Sequence, residues 1–259
     1  MNHDESLAHL RAVDPRLARV IDRIGPCRFE TRKEGTPFDS LTRAIIYQQL
    51  SGKAASTIHA RVHAHFGGRA PTPAEILATP DEQLRAAGLS RQKLSYLKDL
   101  AAKAESRLIP QEDAEVALLT DEEIIKRLVQ VKGIGRWTVQ MFLIFRLGRP
   151  DVLPELDLGV QSGLRRAYGL RKHPKPADVL RIGKKWSPHS TIASWYLWRF
   201  VEAERSSPAK PTAAKRGAVK RVKSARKATP KRAKKAATAK RARRRATKRR
   251  SPRARSRSR

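Results

Sequence analysis

The chain has one cysteine, Cys27, in 259 residues. A single thiol excludes an internal disulfide and any cluster held by four cysteines, and it suits the reducing interior of a cell. No apolar run approaches the roughly 18 residues that a membrane-crossing helix needs. The opening Met1-Asn2-His3-Asp4-Glu5 lacks the basic and apolar regions of a secretory leader. A cytoplasmic protein with no membrane partner is expected. Acidic residues are absent from Ser206 to Arg259, a stretch that carries 24 Lys or Arg.

That last absence divides the chain. The net charge is +33, yet residues 1–205 hold all 24 acidic residues and only 33 basic ones, so this part is near +9 and the tail carries the rest. A tail of Lys, Arg, Ala, Pro, Ser and Thr has almost nothing to bury and is expected to be disordered when free, 206–259 forming one region and 1–205 the folded domain. Many cations without acids neutralise phosphate and release counterions, so nucleic acid is the expected partner, in the nucleoid or, in a eukaryote, the nucleus. Nothing in the sequence reveals an oligomer, and a monomer is the default.

Residues 1–205 read as helices throughout. Residues 6–24 are helical with a break at Asp14-Pro15, where Pro opens a new helix. Phe38 to Leu50 is amphipathic, Ser51-Gly52 interrupts it, and Lys53 to Phe66 follows. Gly67-Gly68 and Pro71-Thr72-Pro73 punctuate, a short helix starts at Pro80-Asp81 and ends at Gly88, and Ser90 opens another through Lys103. Leu158 to Tyr168, Ala177 to Lys185 and Ser190 to Glu204 complete the set, with Trp186, Trp195, Trp198 and Phe200 read as mainly core. His59 and His63 share a helical face, but no Cys or carboxylate stands beside them at ligand spacing. They and His65 therefore suit a solvated or DNA-facing helix, and no metal is expected.

The centre of the sequence is Gln130-Val131-Lys132-Gly133-Ile134-Gly135-Arg136-Trp137-Thr138, with Asp157 22 positions beyond Gly135. The capping box Thr120-Asp121-Glu122-Glu123 starts a helix that stops near Gln130, and the run after Gly135 is apolar on nearly every side. Gly133 and Gly135 thus sit in a tight bend, where a missing Cβ permits positive φ and close approach of another backbone. Unpaired amides at the start of the second helix suit phosphate, with Lys132 and Arg136 on either side. Gly-x-Gly alone equally describes a plain connecting turn. Asp157, directly before a helical run, reads first as a helix N-cap.

Taken together, Val131 to Thr138, the Asp in Pro154 to Val160, Ile45-Ile46-Tyr47-Gln48-Gln49-Leu50-Ser51 and Gly88-Leu89-Ser90-Arg91-Gln92-Lys93 resemble the helix-hairpin-helix DNA glycosylases of the hairpin-Gly/Pro-Asp superfamily. Within it the chain is most similar to the 3-methyladenine DNA glycosylase II family, over roughly residues 5 to 204. The resemblance implies an all-α, two-lobed helical fold carrying a helix-hairpin-helix motif, here without an N-terminal β-rich domain. It implies double-stranded DNA with a damaged base as substrate, base flipping, and hydrolysis of the N-glycosidic bond to leave an abasic site.

Residue by residue, the resemblance makes Asp157 the catalytic carboxylate, with Glu155 as fallback, compatible with its capping a helix. Lys132, Gly133, Ile134, Gly135 and Arg136 become the backbone clamp. Gln48, Gln49, Leu50 and Ser51 become the turn that inserts a plug, either Gln49 or Leu50, into the gap. Arg91 and Lys93 could touch phosphate, and Trp137, Met141, His189 and Tyr47 would line the base pocket. Relatives that cut the strand carry a Schiff-base Lys where this chain has Trp137, so no lyase step is expected. Its ring would also attract a cationic methylated base, by about 0.5 to 2 kcal/mol. Met141 and His189 depart from the family's more aromatic pattern and bear on substrate range. No cofactor is implied beyond a monovalent cation that backbone carbonyls of the hairpin could hold. Two other readings remain: an inactive DNA-binding or chromatin-organising protein, and a glycosylase for deaminated or oxidised bases.

Overall fold

The computed structural model describes residues 2–32 and 35–206, and the 206–259 tail therefore lies outside the described residues except for Ser206. Among the described residues all regular structure is helical. None of the helices is long and apolar enough to cross a membrane.

Helices α1 (His3–Val13) and α2 (Pro15–Ile24) break where Asp14-Pro15 directs. The Asp14 side chain accepts from the amides of Arg16 and Leu17, capping α2, and Pro15 takes the first helical position. Helices α3 (Pro37–Tyr47) and α4 (Gly52–His65) flank the 48–51 turn, with Ser51 capping α4. Then come α5 (Pro73–Ala78), α6 (Asp81–Ala86) and α7 (Arg91–Glu105). Punctuation hid α5: Thr72 and Glu75 form a reciprocal capping box and Pro73 fills the first turn, so Thr-Pro here starts a helix instead of marking a loop. The five-residue α8 (Asp113–Ala117) is also new.

The hairpin joins α9 (Asp121–Leu128) to α10 (Arg136–Phe142), which runs on as a π-helical segment, Leu143–Leu147. Helices α11 (Leu158–Ala167), α12 (Pro176–Gly183), a 3₁₀ turn Lys184–Trp186 and α13 (Ser190–Ser206) close the fold.

The heavily packed pairs fall into two groups. Helices α1, α2, α11, α12 and α13 with the 3₁₀ turn make one lobe from both ends of the described chain; α3 to α7, α9 and α10 make the other. One apolar core runs through both, from Leu10, Leu17 and Ile21 through Leu41, Ile45 and Leu97 to Trp186, Tyr196 and Leu197. The hairpin belongs to the central lobe, and Asp157 opens α11 of the other.

Candidate active site and DNA interface

Asp157 is the N-cap of α11, its Oδ1 accepting from the Val160 amide at 2.8 Å. The expected capping role is thus met. Two indoles hold the same carboxylate: Trp198 donates from Nε1 to Oδ1 at 2.7 Å, and Trp137 from Nε1 to Oδ2 at 2.8 Å. An ionised carboxylate has about four lone-pair sites, so these donors fix its plane and leave one site on Oδ2 open. That open site adjoins Trp137, which is 42% exposed.

Trp198 was expected in the core; it is half-buried and faces Asp157. Its spacing from Trp195 marks a helix face but carries no sign of a partner 41 positions earlier. Gly159 makes the approach possible. A Cβ there would sit 2.6 Å from Trp198 Cδ1 and 2.9 Å from Asp157 Oδ1. On its other side Trp198 stacks on Phe145 at 5.5 Å, and Phe145 meets Phe29 at 6.1 Å, an aromatic row that the sequence did not announce. The π-helical segment supplies Phe145.

Met141 stands one turn after Trp137 on α10 and is half-buried, in keeping with a place beside that ring. His189 contacts α1. It precedes α13, bonds Ser6 Oγ at 3.0 Å and faces His9 at 5.0 Å between ring centroids. Trp198 lies nine residues further along the helix, about 13 Å of rise. Tyr47 is engaged on the α3–α4 side, with the Arg43 guanidinium 4.1 Å from its ring centroid and His59 edge-on at 6.2 Å.

The hairpin turn holds one positive-φ glycine. Gly133 has φ 80°, and a Cβ would come within 2.2 Å of the Tyr96 ring. Gly135 differs from expectation: it is extended, φ −97°, and a Cβ would meet nothing within 4 Å. Its value is open space outside α10, whose first amides no side chain caps. Ile134 is buried, so only its backbone can face a ligand. Lys132 is exposed and lines one open cleft with Arg91, which brings two expected phosphate contacts together from separate helices.

Two other cations expected at DNA have partners within the fold. Arg136 gives its guanidinium to Glu122, at 2.6 Å and 3.2 Å, and approaches Glu155 at 3.3 Å. The Glu122 bonds, with the nearby Glu155 charge, hold it firmly protonated against the opposing effect of burial. It therefore ties α10 to the first turn of α9. Glu155, the fallback carboxylate, is 8% exposed and bonds Gln140 Nε2 at 2.7 Å, committed to the same brace. Lys93 points its ammonium at the carbonyls of Ile46 and Gln48, at 2.6 Å and 2.8 Å, where α3 ends and leaves carbonyls unpaired. Burial lowers its pKa.

Lys93 belongs to a larger arrangement along α7. Tyr96 supports Gly133, and Asp99 Oδ2 accepts from the Lys132 amide at 2.8 Å. Gln48 Nε2 then donates to the Gly133 carbonyl at 2.9 Å, linking the 48–51 turn to the hairpin. At the tip Gln49 has φ 57°, unusual outside glycine, and Leu50 is 39% exposed. Ser51 uses its hydroxyl on the Ala54 amide, so it caps α4. The histidines also differ from expectation. Asp39 of α3 reaches His59 and His63, which are half-buried, so the missing carboxylate comes from a neighbouring helix.

The helical fold thus carries a hairpin whose second helix has no side-chain cap, an exposed 48–51 turn and a carboxylate fixed by two indoles. The family model for the HhH-GPD superfamily of base excision DNA repair proteins matches residues 42–189, and the chain belongs to that superfamily. Among its relatives, DNA-3-methyladenine glycosylase 1 of Schizosaccharomyces pombe is 40% identical over 208 residues, 78% of this chain and 90% of that protein. The solved complex of the S. pombe 3-methyladenine DNA glycosylase with abasic DNA superposes with a TM-score of 0.66, at 40% identity, covering 75% of this chain and 95% of the other. The Bacillus halodurans DNA-3-methyladenine glycosidase gives a TM-score of 0.69 at 36% identity, over 77% and 91% of the two chains.

Proposed function

We propose that this DNA glycosylase excises alkylated bases of the 3-methyladenine type from double-stranded DNA by hydrolysis alone, with Asp157 as its catalytic carboxylate. The observation that carries the reading is the Asp157 carboxylate oriented by Trp137 and Trp198, with one acceptor position open beside an exposed indole.

A base inside duplex DNA is shielded by stacking and must be turned out before its glycosidic bond can break. The amides around Gly135, with Lys132 and Arg91, grip the phosphates. Gln49 and Leu50 occupy the gap. As the bond lengthens the sugar gains positive charge, and a carboxylate already fixed in place stabilises that charge without reorganising. The open Oδ2 position can equally orient a water for attack. The exposed face of Trp137 attracts a methylated, cationic base. Such a base leaves readily, so no strong general acid is needed.

The 137 position holds an indole and no amine, which supports hydrolysis without a Schiff base or strand cleavage. None of these steps is routed through an ion at the hairpin.

The test incubates the protein with DNA containing labelled 3-methyladenine and 7-methylguanine and measures free base and strand breaks. Free base without breaks, lost in Asp157→Asn while DNA binding persists, is the expected result. DNA binding with no release of these bases, nor of hypoxanthine or oxidised bases, would leave an architectural protein in its place.

A further inference from the structure

Three groups that metals favour meet between α3 and α4, the helices on either side of the 48–51 turn. His59 and His63 stand one turn apart on α4, with ring centroids 4.1 Å apart. Asp39, in the first turn of α3, places Oδ1 3.1 Å from His63 Nε2 and 3.9 Å from His59 Nε2. The three donor atoms lie within 4.8 Å of one another. A tetrahedral ion with bonds of about 2.0–2.1 Å sets its ligands roughly 3.3 Å apart, so a small inward shift of His59 closes the set.

A second observation points the same way. His59 Nε2 is buried and has no hydrogen-bond partner, and a buried polar atom left unpaired calls for an explanation. An ion shared with His63 and Asp39 would satisfy it. The side chains of His59, His63 and Asp39 are 15%, 20% and 14% exposed, shielded yet reachable from solvent. Arg43, the nearby cation, lays its guanidinium over the Tyr47 ring.

We propose that Asp39, His59 and His63 bind one divalent cation of the zinc class, with its fourth position open to water. The ion cross-links α3 to α4 behind the 48–51 turn. It plays no part in the chemistry at Asp157, and the site stands or falls independently of the excision reaction.

The experiment strips the full-length chain with EDTA, titrates it with Zn²⁺ by calorimetry, and follows Co²⁺ substitution by visible absorption. One Zn²⁺ per chain, intense tetrahedral Co²⁺ bands displaced by Zn²⁺, and a melting temperature that rises with Zn²⁺ are expected. Asp39→Asn and His63→Gln should each weaken binding by at least about 100-fold, with helicity by circular dichroism retained. Absence of stoichiometric binding, or wild-type affinity in both Asp39→Asn and His63→Gln, would overturn the proposal. If the variants unfold, the wild-type Co²⁺ spectrum decides: an oxygen-only octahedral spectrum overturns it as well.

Discussion

Asp157 caps α11, and a single substitution can separate that task from the catalytic one proposed for it. Asn caps a helix about as well as Asp, and the bond to the Val160 amide survives the change. Asp157→Asn should therefore leave the melting temperature almost unaltered while lowering single-turnover excision by about 10²–10⁴-fold. A parallel loss of stability and rate would mean that the carboxylate is structural. Gly159 offers a sharper test, because two rules disagree there. Helix propensity alone favours Ala over Gly by about 0.8–1 kcal/mol, whereas the added Cβ would stand 2.6 Å from the Trp198 ring. Overpacking of this kind costs about 1–3 kcal/mol, so the clash should win. Gly159→Ala is expected to displace Trp198, slow excision and fail to raise the melting temperature; a stabilised, fully active variant would show that the Trp198 bond is dispensable.

At the scale of elements, α7 acts as a strut between the 48–51 turn and the hairpin, through Lys93, Tyr96 and Asp99. Lys93 discriminates between two roles. If its ammonium touched DNA phosphate, Lys93→Met would reduce the slope of log affinity against log salt by about 1. If it caps the carbonyls of Ile46 and Gln48, the slope should hold and stability fall by about 1–3 kcal/mol, the cost of leaving buried polar groups unpaired. The second outcome is expected, and a salt titration with a denaturant melt reads both. In the hairpin, Gly133→Ala combines positive φ with a Cβ against Tyr96. It should cost about 1–3 kcal/mol and weaken DNA binding, whereas Gly135→Ala, with nothing within 4 Å, should fold normally and lose affinity only through crowding of the phosphate.

For the whole molecule, Asp14 fastens the two ends of the described chain to each other. It caps α2 and accepts from Trp186 Nε1 at 2.8 Å and from the Tyr168 hydroxyl, with Lys185 at 3.1 Å. Burial alone would raise its pKa, but the bonds from Tyr168, Trp186, Leu17 and Lys185 outweigh burial and lower it. A carboxyl depressed in the fold contributes stability that is fully present above its unfolded value, about 4, and is lost as pH falls through the lower folded value. Acid melts should therefore show a stability loss below about pH 4 that is reduced in Asp14→Asn, itself less stable at neutral pH by about 1.5–3 kcal/mol per charged hydrogen bond lost. The 206–259 segment, with its 24 cations and no acid, belongs to this scale too. Its removal should flatten the salt dependence of DNA binding while leaving single-turnover excision at saturating enzyme nearly unchanged; a large drop in that rate would give the segment a part in catalysis.

Local chemistry was legible because it depends on neighbours in the chain. Pro after Asp14 starts α2, the Thr120 and Glu123 capping box starts α9, and Asp157 caps α11 because each bond spans a few residues. The motif order from the 48–51 turn to Asp157 likewise determined the superfamily. What only the tertiary structure decided is where distant side chains spend their polar groups. Trp198 reaches Asp157 across 41 positions, Asp39 meets His63 across 24, Arg136 meets Glu122 across 14, and Lys93 finds carbonyls 47 and 45 positions earlier. A charged or aromatic residue on a helix face reads alike in sequence whether it meets solvent, phosphate or a partner in the fold. Only packing the two lobes assigns each its partner, since a hydrogen bond forms over about 3 Å of space whatever the distance along the chain.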